Sequence, residues 1–260
     1  MRENNSEVLI DLQDVGMEFQ TGKGTVNVLQ NINFKVRRGE TLCIVGPSGC
    51  GKTTILNLIS GFLKPTTGII SISGRQVTKP GPDRTVVFQK DSVFPWLTVR
   101  KNLEYGPKVR GIPRKEWEPK VDFYLQKVKL AELADRYPKE LSGGMRKRVD
   151  IARAYMNNPE ILLMDEPFGP LDVMTKETMQ KDLLDLSREE NKSIIFITHD
   201  IEEAVFLGDR VLVMTARPAR IHSDIKIPFP KERDPSLKME PEFQRIRKEI
   251  DGIFKGVERK

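Results

Sequence analysis

Two groups of residues in this chain have the types and spacing for chemistry on a polyphosphate. The first is the run Gly46-Pro47-Ser48-Gly49-Cys50-Gly51-Lys52-Thr53-Thr54. Its glycines let the backbone take positive φ and approach a polyanion, so that successive amide N–H groups and the start of the following helix point at phosphates. Lys52 then reaches the β- and γ-phosphates, and the Thr53 hydroxyl is placed to ligate Mg²⁺. The second is Asp165-Glu166, which ends the apolar run Ile161-Leu162-Leu163-Met164. Two carboxylates at the end of a buried strand are costly unless a cation or a reacting group uses them. Asp165 is therefore expected to hold Mg²⁺ through water, and Glu166 to orient and deprotonate an attacking water. A nucleoside triphosphate site follows, with kinase, GTPase, helicase and transport ATPase all still open.

Three further positions point the same way. Gln89 closes the apolar run 85–88 and His199 follows the run 193–198. A polar residue at the end of such a strand projects into the ligand crevice of an open α/β sheet, so Gln89 is expected to face that crevice and His199, on the same edge, to contact the γ-phosphate. Ser142 is a good N-cap, and Gly143 and Gly144 leave the next helix start open as a second anion-type site. Phe19, just before Gly22-Lys23-Gly24, either packs in the core or stacks on a base; aromatic burial being the commoner use, the residues alone favour core.

The elements that must position these groups are legible as periodicity. Alternation predicts a strand over 8–12, two more within 26–36, and a strand over 69–74. A buried strand over 41–45 leads through the glycine loop into a helix over 55–59. From 97 to 141 the pattern turns helical, with Trp117, Val121, Leu125 and Val128 on one face. Pro119 would break a helix interior, which places the start of that helix near Glu118. Trp96, at its approach, reads as a packing residue. A polar helix is expected over 175–191 and a last clear strand over 210–214. Beyond that, Pro218, Pro228, Pro230 and Pro235 break the chain, and Pro241 starts an amphipathic helix with Phe243, Ile246, Ile250, Ile253 and Phe254 on one stripe, expected to pack back on the domain.

At 260 residues with 31% charged and 38% hydrophobic content, the chain suits one large α/β domain with an insertion. No apolar run reaches the ~18 residues of a membrane span, and the start, Met1 to Glu7, lacks a signal-peptide apolar region, so a cytoplasmic protein is expected. Cys43 and Cys50 are the two cysteines, which argues against a disulfide framework. Of the net charge of +6, the stretch 217–260 contributes +4, with 12 Lys+Arg against 8 Asp+Glu. The acidic residues interleaved there make a solvated surface the better reading than a nucleic-acid face.

Taken in order, these motifs resemble those of the ATP-binding subunit of an ABC transporter. Gly46 to Thr53 is similar to Walker A, Gln89 to the Q-loop, Leu141-Ser142-Gly143-Gly144-Met145 to the signature, Ile161 to Glu166 to Walker B, Leu171-Asp172 to the D-loop, and His199 to the switch histidine. Met145 stands where many members have Gln, and Pro170 where Ala is more usual. The resemblance implies a P-loop NTPase fold of the ABC ATPase class: an α/β core over 1–96 and 142–216 that begins as an antiparallel β-subdomain, a helical subdomain inserted over 97–141 that carries permease contacts, and a basic C-terminal extension over 217–260. It also implies ATP and Mg²⁺ as cofactors, with Thr53, Gln89 and Asp165 on the metal and Lys52, Gln89, Glu166 and His199 in catalysis. It moves Phe19 from the core to the adenine-stacking position. ATP would contact Gly46 through Thr54 of one subunit and Ser142, Gly143, Gly144 and Asp172 of a second copy, in a head-to-tail dimer. Local runs around Phe94-Pro95-Trp96, Phe168 to Asp172 and Ala216 to Ile221 are similar to importers of nitrate, sulfonate, taurine and bicarbonate. The expected partners are membrane permease subunits at the cytoplasmic face, a second copy of the chain and a solute-binding protein, with no nucleic acid. Service to a lipid or other permease, and a stand-alone ABC ATPase acting on nucleic acid, are the alternatives.

Overall fold

The computed structural model describes residues 7–22 and 24–258. Met1 to Ser6, which carry most of the expectation about a signal peptide, and Lys23 of the glycine turn lie outside the described residues. The chain runs β1 (Val8–Thr21), β2 (Gly24–Arg37), β3 (Thr41–Val45), α1 (Lys52–Ser60), β4 (Thr67–Ile72), β5 (Arg75–Gln76) and β6 (Arg84–Val87). It continues with α2 (Val99–Val109), α3 (Arg114–Lys127), α4 (Gly143–Met156), β7 (Ile161–Asp165), α5 (Val173–Glu189), β8 (Ser193–Ile197), α6 (Ile201–Leu207), β9 (Arg210–Met214), β10 (Ile221–Lys226) and α7 (Pro241–Glu258).

Two sheets result. An antiparallel one has the order β2-β1-β4-β5, and a six-stranded one has the order β10-β9-β3-β8-β7-β6. All neighbours in the second are parallel except β10, which closes the edge antiparallel to β9. A parallel sheet has both faces covered, which is why β3 reads as an unbroken apolar run. Leu42 and Ile44 face one core, shared with α1 and the antiparallel sheet; Cys43 and Val45 face the other, built with the helices. Helix α1 thus lies between the two sheets, and Ile55, Leu56, Leu58 and Ile59 are all buried.

Several expectations change. The stretch expected to hold two strands within 26–36 is the single strand β2, because Asn31 absorbs an irregular register at φ 54° without ending the pairing to β1. Helix α3 begins at Arg114, not near Glu118, with Pro119 inside it. So near the start of a helix, the proline forfeits one backbone bond, and burial of Trp117, Val121, Tyr124 and Leu125 on one stripe offsets that loss. Strand β10 follows the strand expected to be last; its alternation in Ile221-His222-Ser223-Asp224-Ile225-Lys226 is half-buried and carries few β-branched residues. Trp96 is 68% exposed and rests on Phe94 at a centroid distance of 5.5 Å, so it is not a core packing residue. The terminal helix α7 does pack back, with Phe243 and Ile250 fully buried in the helix-side core.

Candidate active site

Because β3, β6, β7 and β8 are parallel, their C-terminal ends share one edge, and the loops leaving them meet there. A cleft of about 310 Å³ at that edge is lined by Ser48, Gly49, Gly51, Lys52, Thr53, Thr54, Gln89, Asp165, Glu166 and Arg217. The loop after β3 needs its glycines: Gly49 and Gly51 sit at φ 73° and 121°, conformations a side chain would strain. Gly51 also meets Val28 and Leu29 of β2 so closely that an added Cβ would lie 2.8 Å from a Leu29 methyl. As the N-cap of α1, Gly51 offers no side chain to the helix, and the helix N-terminus stays open to an anion.

Lys52 is buried and its Nζ donates to the carbonyls of Gly46 and Pro47 at 2.7 and 3.1 Å, closing the loop upon itself. Thr53 Oγ1 donates to Asp165 Oδ2 at 2.9 Å, across 112 residues of chain. Burial pushes the Asp165 carboxyl up from its ordinary value and the charge of Glu166 adds to this, against the Thr53 bond and Lys52. The site is thus one in which added positive charge is favourable. Thr53 and Asp165 supply hard oxygens, the donor chemistry of Mg²⁺ and not of a soft metal. Among the described residues no group of three or more His, Cys, Asp or Glu could hold a metal ion alone. A cation here would share its coordination with phosphate oxygens and water, as Mg²⁺ commonly does.

Glu166 takes a positive φ of 43° directly after β7, held by its N–H to the Ile197 carbonyl at 2.9 Å. Its Oε2 accepts from Gln89 Nε2 at 3.2 Å and lies 3.2 Å from His199 Nδ1. The structure therefore brings Lys52, Thr53, Gln89, Asp165, Glu166 and His199 to one edge. Cys50 is buried within the loop, and burial raises its thiol, which leaves it a packing group.

Ser142, Gly143, Gly144 and Asp172 do not line this cleft. They form a second locus. Ser142 caps α4 by accepting from the Met145 N–H at 3.3 Å, and Asp172 caps α5 by accepting from the Thr175 N–H at 3.0 Å. A Cβ on Gly144 would fall 2.7 Å from the Thr175 methyl, so the two helix starts touch through that glycine. Phe19 is 36% exposed on β1, outside both cores, which corrects the core reading drawn from the residues alone.

One cleft residue escaped the sequence reading as a site. Arg217 stands 168 positions from Gly49, whose carbonyl its Nε reaches. Only its membership of the Ala216 to Ile221 run drew attention to it. Lys147, behind the cleft and not lining it, escaped it too: it is fully buried and bonded to the Phe88 and Gln89 carbonyls at 2.9 and 3.2 Å. It is masked in the sequence by the basic surface residues around it.

The family model described as ABC transporter matches residues 29–169. The chain is 45% identical over 255 residues to the nitrate import ATP-binding protein NrtD of Synechocystis sp., covering 96% of each. It is 42% identical over 252 residues to the taurine import ATP-binding protein TauB of Jannaschia sp., covering 95% of this chain and 94% of the relative. Among solved structures, the dimeric post-hydrolysis state of the ATP-binding cassette MJ0796 bound to ADP and Pi matches with a TM-score of 0.74 and 30% identity, over 85% of this chain and all of that one. The cbiO1 structure from Clostridium perfringens, described as part of the ABC transporter complex cbiONQ, matches with a TM-score of 0.78 and 26% identity, over 95% of this chain and all of that one. The open helix start on a glycine loop and the acid, glutamine and histidine gathered above it agree with these likenesses: the chain belongs to the ABC transporter family, as an ATP-hydrolysing cassette of it.

Proposed function

We propose that the chain powers an importer of a small anion or organic solute of the nitrate, sulfonate, taurine or bicarbonate kind, by hydrolysing ATP against a membrane permease. The observation that carries the hydrolytic half is the meeting of Gln89, His199 and Glu166 at one carboxylate oxygen beside the glycine loop. In this reading the loop amides and Lys52 bind the triphosphate, Lys52 exchanging its two carbonyl partners for phosphate oxygens. Glu166 accepts the proton of the attacking water, while Gln89 and His199 orient that carboxylate and contact the γ-phosphate. Thr53 and Asp165, with Gln89, would hold Mg²⁺, whose chemistry is to neutralise charge developing on the phosphate oxygens.

The second locus at Ser142, Gly143, Gly144 and Asp172 is complete as a pair of capped helix starts yet lies outside the cleft lining, which supports its use on ATP held by another copy in a head-to-tail dimer. Phe19 stacks on the adenine in this reading. The import half rests on the nitrate and taurine import relatives. A permease contact is supported by the exposed aromatics near Gln89: Phe62 stacked on Phe88 at 6.3 Å, and Trp96 and Tyr105 on either side of the half-buried Phe94. No helix among the described residues is long and apolar enough to cross a membrane, so attachment at the cytoplasmic face would be peripheral, through that permease. A solute-binding protein in the same system completes the proposal.

The test is Glu166→Gln purified gently from native membranes with ATP and Mg²⁺. Retained nucleotide, a turnover lowered ~10²–10⁴-fold, and a co-purifying polytopic membrane protein are expected. Normal turnover would remove Glu166 from its role, and recovery of a soluble homodimer alone would remove the importer.

A further inference from the structure

We propose that Arg217 is a nucleotide-contacting residue, a second cation directed at the terminal phosphate of bound ATP. The inference rests on the nucleotide site described above and adds to it a residue from outside its motifs. Arg217 follows β9, whose last residues run parallel to the end of β3, with Val45 paired to Val213. The turn between β9 and β10 is held on two sides. Within it, the Thr215 N–H donates to the Arg220 carbonyl and the Arg220 N–H to Thr215 Oγ1, both at 3.0 Å. Against β2, the Ala219 N–H donates to the Val28 carbonyl at 2.9 Å, the Ala219 carbonyl accepts from the Gln30 N–H at 3.0 Å, and Arg220 Nη2 reaches Gln30 Oε1 at 2.8 Å. Ala219 is fully buried.

This frame sets the Arg217 guanidinium against the tip of the glycine loop. Its Nε donates to the Gly49 carbonyl, and Nη2 lies 3.6 Å from where a Gly49 side chain would begin. Among the described residues neither Nη atom has a hydrogen-bond partner and no carboxylate pairs with the group. Arg217 lines the same cleft as Lys52, Gln89 and Glu166. A guanidinium tethered by one nitrogen, with its remaining donors free at a phosphate cleft, has the fork geometry for phosphate oxygens. Its place by Ser48 and Gly49, in the cleft it shares with Gln89 and Glu166, which serve the γ-phosphate in the reading above, directs it to the terminal phosphate. Because Arg217 is exposed, its removal leaves the core intact.

The test measures ATP and ADP affinity of the full chain in EDTA, by displacement of trinitrophenyl-ADP, for wild type, Arg217→Ala, Arg217→Gln and Lys52→Ala. Arg217→Ala is expected to weaken ATP about tenfold and ADP less than about threefold, the loss of one charge-assisted contact. Arg217→Gln, which keeps a donor for the Gly49 carbonyl without the charge, is expected to match Ala. Unchanged ATP affinity, equal losses for both nucleotides, or recovery in Arg217→Gln would each overturn the proposal, the last two by showing that the residue only shapes the loop. A wild type that binds neither nucleotide would overturn the site reading, and this inference with it; a wild type that binds while Lys52→Ala fails and Arg217→Ala is unchanged overturns this inference alone.

Discussion

Replacing Lys147 by Met tests how far the catalytic edge depends on a buried charge. Lys147 is fully buried on α4, and Asp150, one turn on, is 2% exposed. The ammonium donates to the Phe88 and Gln89 carbonyls and lies 3.6 Å from Asp91 and 3.8 Å from Asp150. Met keeps the length and loses the donors and the charge. Breaking a buried ion pair from one side costs about 3–5 kcal/mol, and each stranded acceptor about 1–3 kcal/mol. Two features reduce the total. Arg153 and Ser92 still bond Asp150 Oδ1, at 2.8 and 2.6 Å, and Asp91 keeps Arg146. The expected loss is therefore at the lower end, about 3 kcal/mol, which for a chain of this size lowers the melting temperature by roughly 6–12 °C. Scanning calorimetry or circular dichroism on the nucleotide-free protein measures it. A shift below about 2 °C would refute the reasoning, because it would mean that the two carbonyls and Asp150 do not depend on the lysine.

Other outcomes are equally open to measurement. Burial raises the Glu203 carboxyl above its ordinary value despite Lys176, Thr198 and Gln180, so its contribution to stability is fully present below the unfolded value and is lost as pH rises through the raised folded one. The melting temperature of Glu203→Gln relative to wild type should therefore be more favourable at pH 8 than at pH 4.5; a difference that is constant or reversed would contradict this. Lys52→Ala should weaken ATP binding roughly 10–100-fold, the range for a bond to a charged group, as read by equilibrium nucleotide displacement. If the Ser142 and Asp172 locus acts on ATP held by another copy, ATPase activity should rise faster than linearly with protein concentration, and strict proportionality over a wide dilution series would count against a paired active unit.

Much of the site was readable because its residues sit at chain-local signals. Gly46 to Thr54, Asp165-Glu166 and His199 each follow an apolar strand, and strand ends are where a parallel sheet presents polar groups. The convergence of Gln89 and His199 on one Glu166 oxygen was not readable, since it depends on strand order and on the positive φ of Glu166. Arg217 and Lys147 fall in the same class: each acts on backbone carbonyls far away in sequence, and a carbonyl leaves no mark in residue type. In the fold, tertiary packing overrode local rules. Pro119 is carried inside α3 by the burial of its neighbours, and the β1–β2 ladder continues through Asn31 as one strand where two were expected within 26–36. Phe19 and Trp96 show the limit for aromatics, whose burial depends on which strand face or turn they occupy and not on their type.

The stapling of the β9–β10 turn to β2 has a mechanical meaning. The two sheets could in principle rock against each other, with the glycine loop, at their junction, opening as a jaw. Ala219 opposes that freedom, since its amide and carbonyl are both bonded into β2 while β9 and β10, on either side of it in the chain, belong to the six-stranded sheet. Helix α1, packed between the sheets, adds a dry seam that resists shear. The floor of the nucleotide cleft is therefore a single stiff plate. Movement that admits ATP or releases product must come from parts outside that plate, such as the helical insertion or a facing subunit, and stiffness at the loop ensures that such movement is transmitted and not absorbed.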